Sequence, residues 1–290
     1  MENQNNRKIT NRNLFIFTII VFASGWIGKG LDALMGNPSK DSLGMLIWLV
    51  MPLLASLFLR AFGGDGWKDI GLNPLLKNNL IWYLFSLFVF PFVTVSVLGI
   101  GRILGWVSFQ NFNTNLYLQA FAVTLLPNFF KNIPEEFVWR GYLTPKVFSL
   151  KINDFLLYFI VGLIWGVWHV PYYLFFLDSE TLSSVTGISI IYFIPLSILV
   201  MIAWSVVFVE LRLLTKSVWP AVMMHTIEDS FVNMLFIGGF VVVAQKNEIW
   251  VSPIYGVISI IFFAIIGLIL RKIRKRNGNI VRAGYHKYGT

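Results

Sequence analysis

The sequence contains no cysteine, so a disulfide framework, an iron–sulfur site and a thiol nucleophile are all excluded. Charge is scarce as well: 13% of the residues are Asp, Glu, Lys or Arg, where a soluble domain has about 25%. Acids are outnumbered by bases, 14 to 23, giving a formal net charge of +9. Histidine occurs three times, at His169, His225 and His286. There is no internal repeat, no low-complexity tract and no composition shift that would mark a second domain. What the chain has in quantity is apolar length: 57% of its residues are hydrophobic and the mean hydropathy is +0.71. One large soluble core is excluded because the apolar runs are too long for it.

Those runs, each near the roughly 20 residues needed to cross a bilayer, fall at about 14–34, 43–62, 79–101, 115–146, 154–177, 187–209, 218–243 and 251–270. They predict an all-α, polytopic membrane helical bundle of about eight transmembrane helices, organised as a single transmembrane domain over 1–290. Arg7, Lys8 and Arg12 precede the first run, but no small-residue cleavage site follows it, so it is read as a retained span and not a signal peptide. With the N-terminus inside, only Lys29, Lys40, Arg102 and Lys246 fall on the outer side, and the loop 178–187 carries acids without a base. This bias predicts both termini in the cytoplasm, which requires an even number of spans. The basic excess is therefore a topology signal. No basic face with interleaved aromatics is present, so no nucleic-acid partner is expected. Membrane lipid is the expected partner of the basic tail 271–290, which is expected to be mobile and to lie on anionic headgroups.

Against this background the polar residues inside the runs stand out, because charge at membrane depth is costly and faces a protein interior or a wet cavity. In Lys131-Asn-Ile-Pro134-Glu135-Glu136-Phe-Val-Trp-Arg140, the pair Glu136 and Arg140 has i,i+4 spacing with the acid first, the better order for a helical ion pair. Glu135 is rotated by roughly 100° from Glu136 and is left uncommitted. Pro134 suits a first helical turn or a kink. In the fifth run Trp165 and His169 share a face, and Gly162 with Gly166 lets a neighbouring helix approach beside that histidine. In the seventh run His225 and Asp229 share a face, with Glu228 close to it. His286 is read as a solvated tail residue. One reading of the remaining groups is a buried ion-pair network that only locks helices together. The other is a common pocket in the inner half of the bilayer, since these groups, on three separate spans, have one another as partners.

In this order, Glu135-Glu136-Phe-Val-Trp-Arg140, Trp165-Gly-Val-Trp-His169 and His225-Thr-Ile-Glu-Asp229 resemble the signature of the CAAX-protease and bacteriocin-processing (CPBP, or Abi) family. That signature is EExxxR, an aromatic-xxx-His and a His-xxx-Asn/Asp on successive membrane helices. The resemblance covers about 115–240, the expected catalytic core. It implies an intramembrane endopeptidase that hydrolyses an amide at a water-accessible cavity open to the cytoplasm. It further implies Glu135 as general base, His169 as its partner on the attacking water, and His225 with Asp229 as stabilisers of the tetrahedral oxyanion. Glu136, Arg140 and Trp165 would support them. Cofactor use stays open: Glu135, His169 and His225 form the kind of three-ligand set that catalytic zinc uses, and a metal-free glutamate mechanism uses the same groups. An ionised Asp229 donates no hydrogen bond, so it is read as the carboxylate that orients His225 and keeps it a charged donor.

Other intramembrane protease chemistries lack their parts. There is no HExxH and no Gly-x-Ser-Gly, and Gly63-Gly64-Asp65 does not have the spacing of a Gly-x-Gly-Asp site. Two further readings come from other classes: a non-catalytic scaffold or bacteriocin-immunity protein that binds a peptide, and a transporter with a Glu/His proton relay. Repeated broken helices in two halves would mark the transporter, and none is visible. The setting expected is a bacterial plasma membrane, with a peptide or membrane protein as substrate and no prenylated CAAX tail.

Overall fold

The computed structural model describes residues 2–36, 42–110 and 112–287; Lys40 and the tail residues 288–290 lie outside the described residues. The elements run α1 (Glu2–Met35), α2 (Leu43–Ala61), α3 (Leu76–Ile103), β1 (Val107–Ser108), α4 (Thr114–Val138), α5 (Thr144–Ser149), α6 (Asp154–Pro171) and α7 (Ser179–Val185). They continue with α8 (Ile190–Thr215), α9 (Trp219–Ile227), α10 (Asn233–Ile237), β2 (Val242–Val243), α11 (Glu248–Val251) and α12 (Val257–Lys287). A π turn at Trp139–Leu143 joins α4 to α5, a second at Tyr172–Phe176 extends α6, and a third at Glu228–Val232 joins α9 to α10. Counting these joined segments as single rods, the chain is the all-helical membrane bundle that its apolar runs predicted.

Among the described residues, five stretches are long and apolar enough to cross a membrane: Asn6–Met35, Leu43–Ala61, Leu76–Ile103, Asp154–Phe176 and Ile190–Thr215. The other three expected spans exist as helix but carry interruptions. The α4–α5 rod holds Lys131, Glu135, Glu136 and Arg140; the α9–α10 rod is cut by its π turn; and α12 becomes basic at Arg271. Two boundaries differ from the expected ones. The seventh rod stops at Ile237, because Gly238 caps it and Gly239 takes a positive φ of 66°. Its expected last residues, Val242 and Val243, instead pair antiparallel with Ser108 and Val107. The tail is also not a separate segment, since α12 runs on to Lys287.

Close approaches set the packing. A Cβ on Gly28 would lie 2.2 Å from the Gly44 carbonyl, so α1 and α2 cross backbone to backbone. A Cβ on Gly162 would lie 2.4 Å from Ile202 Cα, and Gly166 faces Ile198; the neighbour expected beside His169 is α8. Between α2 and α6, Trp48 and Trp168 stack with centroids 4.3 Å apart, and each indole N–H donates to the other's carbonyl, at 2.8 and 3.2 Å.

At the end of the molecule where Arg60, Lys146 and Arg212 lie, the segment between α2 and α3 folds back against the first π turn. A π turn leaves carbonyls that the α-ladder would have used. The Arg140 carbonyl accepts from Arg212 Nε at 2.9 Å, and the Gly141 carbonyl accepts from Arg60. Arg60 and Lys146 also pair with Asp69, at 2.7 and 2.9 Å, and the Tyr142 hydroxyl donates to Asp65 at 2.8 Å. Burial alone would push the Asp69 carboxyl up, but hydrogen bonds from Arg60 and Lys146 outweigh it and hold the carboxyl below its ordinary value.

Candidate functional site

The three motif-bearing rods bring their polar groups to one cavity of about 220 Å³. Glu135 and Lys131 come from α4, His169 from α6, His225 from α9, and Glu228 and Asp229 from the third π turn. Its wall also includes Trp48, Tyr172, Tyr173 and Ser197. The wall extends to Leu177, Thr181 and Ile254, residues beyond the end of α6 that lies opposite its basic-paired start at Asp154. A pocket confined to the half nearer the basic residues was expected from depth; the cavity reaches past that half.

Glu136 and Arg140 form the expected i,i+4 pair at 2.9 Å, with both side chains fully buried. The Arg140 guanidinium lies in the corner formed by the rings of Trp165 and Phe208, 4.1 and 4.0 Å from their centroids. Contact with two rings replaces part of the hydration that a buried cation loses. The same Glu136 oxygen is 2.9 Å from His225 Nδ1. A carboxylate bonded to Arg140 can only accept, so Nδ1 carries the proton and Nε2 is left for the cavity.

That contact gives His225 a closer partner than the expected Asp229. Asp229 Oδ2 is 4.0 Å from Nε2, too far for a hydrogen bond. Asp229 instead accepts from Asn132 at 2.6 Å and Asn233 at 3.3 Å, and pairs with Lys131 Nζ at 3.0 Å. Spacing of i,i+4 puts two residues on one face, but the third π turn begins at Glu228 and shifts Asp229 relative to His225. Lys131 and Asn132 are site residues that the motif reading left out. Their signal was present: both lie within one helical turn of Glu135, at membrane depth.

Trp165 lies between the two histidines, with its ring 6.1 Å from His169 and 5.7 Å from His225. The backbone carbonyl of Trp165 takes a bond from His169 Nδ1 at 2.9 Å. A carbonyl cannot donate, so the neutral His169 ring presents Nε2 as an acceptor. Trp48, Trp168 and Tyr173 complete an aromatic surround. Glu135 is 7% exposed, and its Oε2 has no hydrogen-bond partner among the described residues. A buried carboxylate oxygen without a partner is costly, and the cost is removed by a water or substrate group in the cavity.

The zinc set read from the sequence joined Glu135, His169 and His225. Among the described residues, the group whose ligand atoms lie within 4.8 Å of one another is His225, Glu228 and Asp229. A metal ion there would have to compete with the Lys131 ammonium for Asp229 Oδ2.

A helical membrane bundle whose rods converge on buried carboxylates and two oriented histidines belongs to the class of polytopic membrane proteins with an internal polar site. Residues 117–231 match the family model described as Type II CAAX prenyl endopeptidase Rce1-like. Glu135, Glu136, Arg140, Trp165, His169, His225 and Asp229 all fall inside the match, which spans the stretch that carries the three motifs. No curated protein matches the chain.

Proposed function

We propose that the chain is an intramembrane endopeptidase in which Glu135 activates water for attack on a peptide carbonyl. The observation that carries this reading is the buried Glu135, whose Oε2 has no hydrogen-bond partner among the described residues, in the wall of the cavity that also receives His169 and His225. Glu135 takes a proton from water as oxygen adds to the carbonyl carbon, with His169 Nε2 as a second acceptor holding that water. His225 Nε2, in the imidazolium form, donates to the oxyanion. When the C–N bond breaks, the proton on Glu135 passes to the departing amine. Glu136 and Arg140 act as positioning residues, because Glu136 fixes His225 through Nδ1 and Arg140 fixes Glu136.

The substrate is a membrane-associated peptide or protein, since the cavity is walled by membrane-depth residues such as Trp48, Leu49 and Val200. The test is cleavage by purified protein in lipid vesicles carrying a panel of membrane-associated peptides, with products read by mass spectrometry. Wild type should yield a defined product that Glu135→Gln does not. The same product from both proteins, or none from either across the panel, would overturn the assignment.

A further inference from the structure

The cavity collects three carboxylates, Glu135, Glu228 and Asp229, and among the described residues Lys131 is the single Lys or Arg in its wall. Like charges buried together need a counter-cation or must give up their charge. Lys131 stands one helical turn before Glu135 on α4, so both side chains leave the same face. Its Nζ lies 3.0 Å from Asp229 Oδ2. Asp229 belongs to the cluster in which His225, Glu228 and Asp229 each offer a ligand atom within 4.8 Å of the others. With metal–ligand bonds of about 2.0–2.4 Å, two ligands on opposite sides of an ion are about 4–5 Å apart. The cluster thus has the span of a divalent-cation site, and an ammonium is already bonded to one of its three ligands. Glu135, 7% exposed and with no partner for its Oε2 among the described residues, lines this same cavity.

We propose that Lys131 is the resident cation of the site, its ammonium standing at the His225–Glu228–Asp229 cluster where a metallopeptidase would carry a divalent ion. An ammonium has three N–H donors, and Asp229 takes one. The others are available to the carbonyl oxygen of a bound peptide, next to His225 Nε2. Lys131 is then a second oxyanion donor and a catalytic residue. That last consequence rests on the proposed peptidase reading, whereas the cation's place rests on geometry.

The test removes the charge and keeps the stem. Purified wild type should bind no Co²⁺, whereas Lys131→Met should bind one Co²⁺ per chain with visible d–d absorption. Lys131→Met/Asp229→Asn, with one ligand removed, should lose it. Lys131→Gln gives the same readout if thermal unfolding shows that the Met variant does not fold. In the vesicle assay, wild-type cleavage should be indifferent to a chelator. Lys131→Met should lose about 10²–10³ in kcat with KM little changed, the scale of one oxyanion donor. Cobalt bound by wild type and lost in Asp229→Asn would overturn the proposal. So would chelator-sensitive wild-type cleavage, or no cobalt in either folded Lys131 variant. If wild type cleaves nothing, the peptidase reading falls and the cobalt titration still decides where the cation sits.

Discussion

At the scale of residues, the two adjacent glutamates have opposite situations and should fail differently. Glu135→Gln removes the proposed base without breaking a hydrogen bond, so cleavage should vanish while the thermal unfolding midpoint stays near wild type. Glu136→Gln weakens the contacts of Arg140 and His225 together. Breaking a buried ion pair from one side costs roughly 3–5 kcal/mol, so this variant should unfold at clearly lower temperature as well as lose activity. Equal midpoints with activity lost only in Glu136→Gln would mean that the roles are reversed. The local pair Glu136–Arg140 was legible because i,i+4 spacing fixes it within one helix. The bond from Glu136 to His225 was not, because it joins residues 89 positions apart and a sequence carries no inter-helix distances. Spacing pointed to Asp229 instead. Lys131 was visible in the sequence at the head of the Glu135–Arg140 stretch, but spacing within one helix assigns it no partner on another rod.

At the scale of elements, the first π turn is held from outside by Arg60 and Arg212, each of which accepts the role of donor to a carbonyl that the turn releases. Neither residue lines the cavity. Arg212→Ala should still lower activity, because Arg140 sits in the turn that it braces, and should destabilise by about 1–3 kcal/mol for a buried carbonyl left unpaired. An Arg212→Ala enzyme with wild-type rate and midpoint would show that the brace is dispensable. The brace should also respond to pH. Asp69 has a lowered pKa in the folded chain, so its contribution is fully present above the unfolded carboxylate value, ~3.9. It is lost as pH falls through the lower folded value. Thermal midpoints of wild type and Asp69→Asn should therefore differ near neutrality and converge in strong acid; a gap that persists there would remove Asp69 from the brace. None of the π turns was legible, since one residue added to a turn leaves no periodic mark. Only Pro171, which has no N–H to donate and precedes the second turn, hints at a break.

At the scale of the whole molecule, apolar run length recovered the bundle and most rod boundaries, because burial in lipid leaves little room for other sequences. It failed where charge or glycine intervened: α7 was hidden in a loop, and β2 was hidden in the end of an apolar run. The proposed topology, with both termini on the cytoplasmic side, can be tested cleanly because the native chain has no cysteine. Single cysteines at Lys68, Lys216 and Arg276 should react with an impermeant thiol reagent only when the cytoplasmic face is exposed. A cysteine at Lys246 should react only from the outer face. Labelling of Lys216 and Lys246 from the same side would remove the assigned crossing of the seventh rod.

The three π turns have a consequence for which kinds of change the chain can absorb. A π turn takes up one extra residue within a single turn, so the first and third act as slack in a rod, and the polar groups sit at these turns: Arg140 within the first, His169 just ahead of the second, Glu228 and Asp229 opening the third. Deleting one residue inside the first or third would return that turn to α and leave the half beyond it near its present angle. Deleting one residue from the regular helix on either side would swing everything beyond it by about 100°. In the α4–α5 rod such a swing would carry Lys146 away from Asp65 and Asp69; in the α9–α10 rod it would carry Asn233 away from Asp229. Single-residue deletions should therefore keep these two rods folded best at 139–143 and 228–232, and should be tolerated least in the α-helical turns beside them.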